Sequence, residues 1–146
     1  MNRIFLGGTC AGTNWRDRLI DILDNHYECE YFNPVVEDWT PECQQIEEDE
    51  KNNKCNVHLY VLTPQMKGVY SIAEIINSCW QAQVYGTTVD YVALYILGEW
   101  DKDMRKSLEA TIRLCSYITP NFTGHFCDNE SFMVNDLAEN KIISLK

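Results

Sequence analysis

The stretch Val57-His58-Leu59-Tyr60-Val61-Leu62-Thr63-Pro64, followed a short loop later by Ser71-Ile72-Ala73-Glu74-Ile75-Ile76-Asn77-Ser78-Cys79-Trp80, decides how this chain folds. A short, nearly continuous apolar run closed by Thr-Pro is the pattern of a strand buried on both faces. The second run has a different period. Ile72, Ile75, Ile76, Cys79, Trp80 and Gln83 fall on one helical face, and Gly86 stands where a C′ residue belongs. A buried strand leading into an amphipathic helix is half of a parallel crossover.

The same alternation continues on both sides. Upstream, Arg3–Leu6 reads as a strand ending in Gly7-Gly8, and Trp15–Leu23 as a helix with Thr13 as its N-cap. Cys29–Phe32 is a second strand, stopped by Asn33-Pro34, and Pro34–Thr40 is a loop. Thr40-Pro41 opens a helix running to about Lys54, with acids early and Lys51 and Lys54 late, as the helix dipole favours. Its Glu47–Glu50 run reads as a solvated face. Downstream come a strand over Thr88–Leu97, a helix over Asp103–Tyr117, a strand near His125–Cys127 and a helix over Phe132–Asn140. The expectation is an α/β fold: one domain over 1–146, a parallel sheet of about five strands, helices on both faces.

Composition narrows the function classes. A length of 146 residues with 45% apolar and 23% charged side chains is ordinary for a globular protein and excludes a disordered or collagen-like chain. The net charge of -10 argues against nucleic acid or an anionic membrane as partner, since both need a basic surface. No apolar run approaches the length of a membrane span, and MNRIFLGG is too short for a signal sequence. The seven cysteines are odd in number and no two are spaced C-x-x-C, which argues against a disulfide framework or a zinc knuckle and places the chain in a reducing cytoplasm. On that reading the glycosylation patterns at Asn121 and Asn129 are chance. His26, His58 and His125 are isolated from other ligand types, so no metal is expected.

In such sheets ligands bind beyond the strand C-termini, which here are followed by Gly7–Thr13, Asn33–Trp39, Thr63–Ser71 and Gly98–Trp100. The first three of these carry the informative side chains. Gly7–Thr13 is small and glycine-rich, so a ligand can approach the backbone around Gly8 and Thr9. Trp15 and Arg16 follow in the first helical turn, and Arg16 suits a phosphate, a carboxylate or a surface salt bridge. The Phe32–Trp39 loop joins Asn33, Glu37, Asp38 and Trp39, an aromatic plate with an amide and acids, which suits a flat heterocycle bearing a sugar as well as a purely structural loop. The third loop holds Thr63, Met66, Tyr70 and Ser71 and ends at Glu74. Glu74 allows two readings. It closes a Ser71-Ile72-Ala73-Glu74 capping box, or it points into the crevice as a carboxylate able to attack an anomeric carbon.

On these residues the chain resembles the nucleoside 2-deoxyribosyltransferase-like family, in a bacterial and phage branch. The resemblance runs through Ile4-Phe5-Leu6-Gly7-Gly8-Thr9, Asn14-Trp15-Arg16, Phe32–Pro41 and Gly68-Val69-Tyr70-Ser71-Ile72-Ala73-Glu74. It implies a flavodoxin-like fold, a homo-oligomer and a nucleoside or nucleotide as ligand, with no cofactor. It also implies cleavage or transfer of an N-glycosidic bond, with Glu74 as nucleophile. Asn33 would then orient sugar hydroxyls, Trp39 and Tyr70 would flank the base, and Asp38 would assist proton transfer. The chain departs from the family where an aspartate usually follows the third strand; here it reads Leu62-Thr63-Pro64. That departure keeps a second expectation alive: binding without cleavage of an NAD-related or signalling nucleotide, as in phage–host defence.

Overall fold

The computed structural model describes residues 1–10 and 12–146; Ala11, within the first loop, lies outside them. Strand β1 (Arg3–Gly8) is followed by helix α1 (Trp15–His26) and the short strands β2 (Tyr27–Glu28) and β3 (Glu30–Phe32). Helix α2 (Pro41–Asp49) continues into a π-helical turn, Glu50–Lys54, before β4 (Val57–Leu62). Then come α3 (Tyr70–Gln81), β5 (Tyr91–Leu97), α4 (Lys102–Ile118), β6 (Phe122–Cys127), α5 (Glu130–Glu139) and β7 (Ser144–Leu145).

Five strands form one parallel sheet in the order β3-β1-β4-β5-β6. The chain first steps outward from β1 to β3, then crosses back to β4 on the other side of β1. The strand order therefore reverses between β1 and β4, as in flavodoxin-like sheets, and a crevice opens at their C-terminal ends. The register pairs Leu6 with Leu59 and Gly8 with Val61. Successive strand residues face opposite sides. Leu59 and Val61 pack with Trp15, Leu19 and Leu23 of α1 and Met133 and Leu137 of α5. Tyr60 and Leu62 pack with Ile75 and Cys79 of α3 and Leu108 and Cys115 of α4. Helix α2 buries no side chain of its own, so what fixes it is the turn that follows.

Several boundaries differ from the sequence reading, each for a physical reason. The N-cap of α1 is Asn14, not Thr13, and its side chain caps nothing. Helix α3 stops at Gln81 rather than running on to Gly86, because the Thr87 hydroxyl donates to the carbonyl oxygens of Gln81 (2.5 Å) and Val84 (3.3 Å). Gly86 lies in the following loop at φ +90°. Strand β5 starts at Tyr91 instead of Thr88. A two-stranded antiparallel ribbon, β2 with β7, is additional. All seven cysteines are free thiols, and among the described residues no helix is long and apolar enough to cross a membrane.

Candidate functional site

The site begins at the end of β1. Gly8 has φ +112°, and a Cβ there would stand 2.1 Å from the Val61 carbonyl oxygen. No other residue lets β1 leave the sheet so close to β4. The exit loop is then tied down by two side chains of α1. Trp15 is fully buried and donates Nε1–H to the Thr9 carbonyl (2.8 Å). Arg16 is 6% exposed and gives its donors to main-chain oxygens: Nε to Leu6 (3.0 Å), Nη1 to Thr9 (2.8 Å) and Nη2 to Gly8 (3.2 Å). Its guanidinium lies 4.4 Å from the Trp15 ring centre.

Beyond this loop a cavity of about 280 Å³ opens. Its walls are Phe5, Gly7, Gly8, Cys10 and Arg16 from β1, the first loop and α1, Pro34, Val35, Val36 and Trp39 from the loop after β3, and the carboxylates of Glu47 and Glu74. A second cavity of about 300 Å³ lies against the same two carboxylates, lined by Gln44, Glu48, Lys51, Asn52, Tyr70 and Asn77. Glu47 and Glu74 therefore stand between an apolar, aromatic chamber and a polar one.

The two carboxylates have different electrical surroundings. Glu74 Oε2 accepts a hydrogen bond from Lys51 Nζ. Both side chains are mostly buried, 20% and 13% exposed. Among the described residues Glu47 has no such partner. Burial first, and the negative charge of Glu74 next, push its carboxyl above the ordinary glutamate range, with Lys51 and Arg16 pulling weakly the other way.

Lys51 is placed by the π-helical turn. The Cys55 N–H closes the turn on the Glu50 carbonyl at 2.7 Å. The Lys51 carbonyl accepts from His58 Nε2–H at 2.7 Å. That bond fixes the His58 tautomer, so Nδ1 accepts the Ser78 hydroxyl (2.8 Å), which accepts the Tyr60 hydroxyl in turn (2.7 Å). Burial lowers the His58 pKa to about 4, so the ring is neutral near pH 7.

The sequence model of the nucleoside 2-deoxyribosyltransferase-like family matches residues 1–82. The chain belongs to that family. No curated protein and no solved structure matches it. The family segment contains both cavities around Glu74, whose lining runs from Phe5 to Asn77.

Within this family segment the expected site residues fall into three groups. Gly8, Arg16, Trp39 and Glu74 line the first cavity. Gly8, Thr9, Met66, Tyr70 and Ser71 line an adjoining hollow of about 170 Å³, together with Gln65 and Lys67. The remainder lie elsewhere. Trp15 is a core residue. Thr63 is buried under the loop, its N–H donating to Thr9 Oγ1 at 3.0 Å. Asn33 accepts the Val35 N–H at 3.1 Å, a local turn that turns its amide to the backbone. Asp38 is exposed and is not among the residues lining either cavity. The loop instead presents Val35, Val36 and Trp39 to the chamber.

The capping-box reading of Glu74 is overturned. Helix α3 opens at Tyr70 with Val69 as N-cap, no side chain caps it, and the Glu74 carboxylate is held by an ammonium instead. The solvated reading of the acidic run holds for Glu48 but not for Glu47, which lines both cavities, or Glu50, which is buried. Glu47 escaped the sequence reading because it sat inside that run, and Lys51, directly after it, was read only as a cation suiting the helix dipole. Their spacing of four, one helical turn, was the available signal. Among the described residues no cluster of histidine, cysteine and carboxylates is arranged to hold a metal.

Proposed function

We propose that the protein breaks the N-glycosidic bond of a nucleoside or nucleotide by double displacement, with Glu74 as nucleophile and Glu47 as acid. One observation carries this reading. Two carboxylates share a chamber with the Trp39 indole, one paired with a lysine and the other pushed toward its protonated form. Environments that separate two carboxyl groups in this way assign the acid and the nucleophile.

The base packs against Trp39, Val35 and Val36, and the sugar lies between it and Glu74. A Glu74 oxygen attacks C1′ and forms an ester while the C1′–N bond breaks. Its electron pair goes to the base nitrogen, which takes the proton of Glu47. In the second half a new base or water loses a proton to Glu47 and attacks C1′, releasing the Glu74 carboxylate. Glu47 thus performs the proton transfer expected of Asp38. It also does what an acid after β4 would do, where this chain has the buried Thr63. A homo-oligomer is part of this proposal. It is supported by the exposed apolar side chains Trp80 of α3 and Leu114 and Tyr117 of α4, two helices packed against each other.

The test is incubation of the protein with a panel of nucleosides, deoxynucleotides and NAD-type dinucleotides, with products separated by chromatography. Release of free base, lost in Glu74→Gln, is the expected result. Ligand recovered intact, with no base released by the wild type, would overturn the reading in favour of a binding protein.

A further inference from the structure

We infer that Lys51 is a positioning residue that serves as counter-ion to both carboxylates in turn, pairing with Glu74 before the glycosyl ester forms and with Glu47 afterwards. This rests on the double-displacement reading above.

The geometry starts with the ammonium. Lys51 Nζ donates to Glu74 Oε2 from the side of the polar cavity, which Glu47 also lines. It lies 5.5 Å from the Phe5 ring centre and 5.8 Å from that of Tyr60. These rings hold an ammonium by their π faces but cannot neutralise it. The charged or titratable groups facing Glu47 are Glu74 and Tyr70 of α3, Lys51 and Glu48 along its own helix and turn, Arg16 of α1 and the Cys10 thiol of the first loop. Arg16 is committed to the carbonyls of Leu6, Gly8 and Thr9. Lys51 is therefore the cation able to follow a charge that moves from one carboxylate to the other.

The chemistry moves such a charge. The proposed double displacement starts with Glu74 as the attacking carboxylate and Glu47 as the proton donor. Attack turns the Glu74 carboxylate into a neutral ester, and the proton leaves Glu47 for the departing base. The negative charge has then passed from Glu74 to Glu47, and the trio with Lys51 stays neutral before and after. Loss of the Glu74 charge also removes one influence that made Glu47 reluctant to ionise, while Lys51 continues to favour its anion. Ester formation and proton release thus favour each other through the lysine.

The backbone is built to keep that lysine in place. Glu50, at the head of the π turn, is clamped by Arg3, and the Lys51 carbonyl is held by His58. Single π turns concentrate at functional sites, where the extra residue redirects a side chain.

The test uses the full chain and the nucleoside from which the wild type releases base. Lys51→Met, Lys51→Gln and Lys51→Arg are compared for kcat, KM and the pH dependence of kcat/KM, with melting temperature as a folding control. For Lys51→Met a fall in kcat of about 100-fold is expected, with KM within about threefold. The alkaline limb, set by loss of the Glu47 proton, should move to higher pH, because a cation that favours the Glu47 anion is gone. Lys51→Arg should bring the limb back and recover part of kcat. Unchanged kcat overturns the inference. So does a rise in KM alone, or a fall in kcat with the limb unmoved. If Lys51→Met does not fold, Lys51→Gln and Lys51→Arg give the same readouts. A wild type that releases no base overturns the double displacement and this inference together. An active wild type indifferent to Lys51 overturns this inference alone.

Discussion

Arg3 and Glu50 meet through two parallel hydrogen bonds, Nε to Oε2 at 2.9 Å and Nη2 to Oε1 at 3.0 Å. This fork joins the first residue of β1 to the first residue of the π turn. Glu50 is almost fully buried, while Arg3 keeps part of its side chain in water. The contact thus does more than stabilise: it sets where the turn, and Lys51 with it, stands relative to the sheet.

Replacing Glu50 by glutamine should cost about 1–3 kcal/mol, the range for breaking a charge-assisted buried contact whose other partner still reaches solvent. The Arg3 bonds hold the Glu50 carboxyl below its ordinary range. Its contribution is therefore present above the unfolded glutamate value, about 4.3, and is lost as pH falls through the lower folded value. Chemical denaturation across the acid range should show this loss in the wild type and not in Glu50→Gln.

His58 acts in a different window. Its folded pKa is about 4 because of burial, below the free value of about 6.5. The unfolded chain binds a proton first, so stability falls between pH 6.5 and about 4 and levels off below. The loss should approach roughly 3 kcal/mol from this one group. Ser78→Ala should destabilise by about 1–3 kcal/mol at neutral pH, since it strands both the His58 Nδ1 and the Tyr60 hydroxyl in the core. Urea titrations at two pH values measure both effects.

The two carboxylates should separate by leaving group. Glu74→Gln should abolish turnover of every substrate. Glu47→Gln should slow ordinary nucleosides by about 10²–10⁴-fold, the usual worth of a general acid, yet spare substrates whose leaving group departs without a proton. Steady-state rates on a natural nucleoside and on one with an activated leaving group decide this.

Trp39 is 58% exposed while lining the first cavity. Trp39→Ala should leave the melting temperature nearly unchanged. It should raise KM by about 10- to 100-fold, the scale of a lost base–aromatic stack of about 1–3 kcal/mol. An unchanged KM would show that the base lies elsewhere.

Much of this architecture was legible in the residues. The apolar runs of β1, β4 and β5 and the single-faced patterns of α1, α3 and α4 are strong periodic signals, and a parallel sheet with helices on both faces followed from their alternation; the strand order did not. The β2–β7 ribbon was not, because strands of two residues carry no period. At the site, Glu74, Trp39 and Gly8 could be read from their place after strands. Asp38 and Asn33 were read from the same place, but a loop's backbone decides which side chains turn inward, and composition does not report that. Glu47 and Lys51 depended on a π turn and on the helix it steers, and nothing local in Glu50–Lys54 announces bonds between residues five apart.

Every residue lining the two cavities around Glu74 lies between Phe5 and Asn77, while β5 and β6 extend the sheet and α4 and α5 pack on its two faces. On the proposed reading the chain is divided between a part that meets the ligand and a part that braces it. Substitutions beyond Asn77 should be felt as lowered abundance or early melting rather than as altered chemistry. That half can drift in sequence, or be exchanged for another brace of the same shape, without rewriting what the first half recognises.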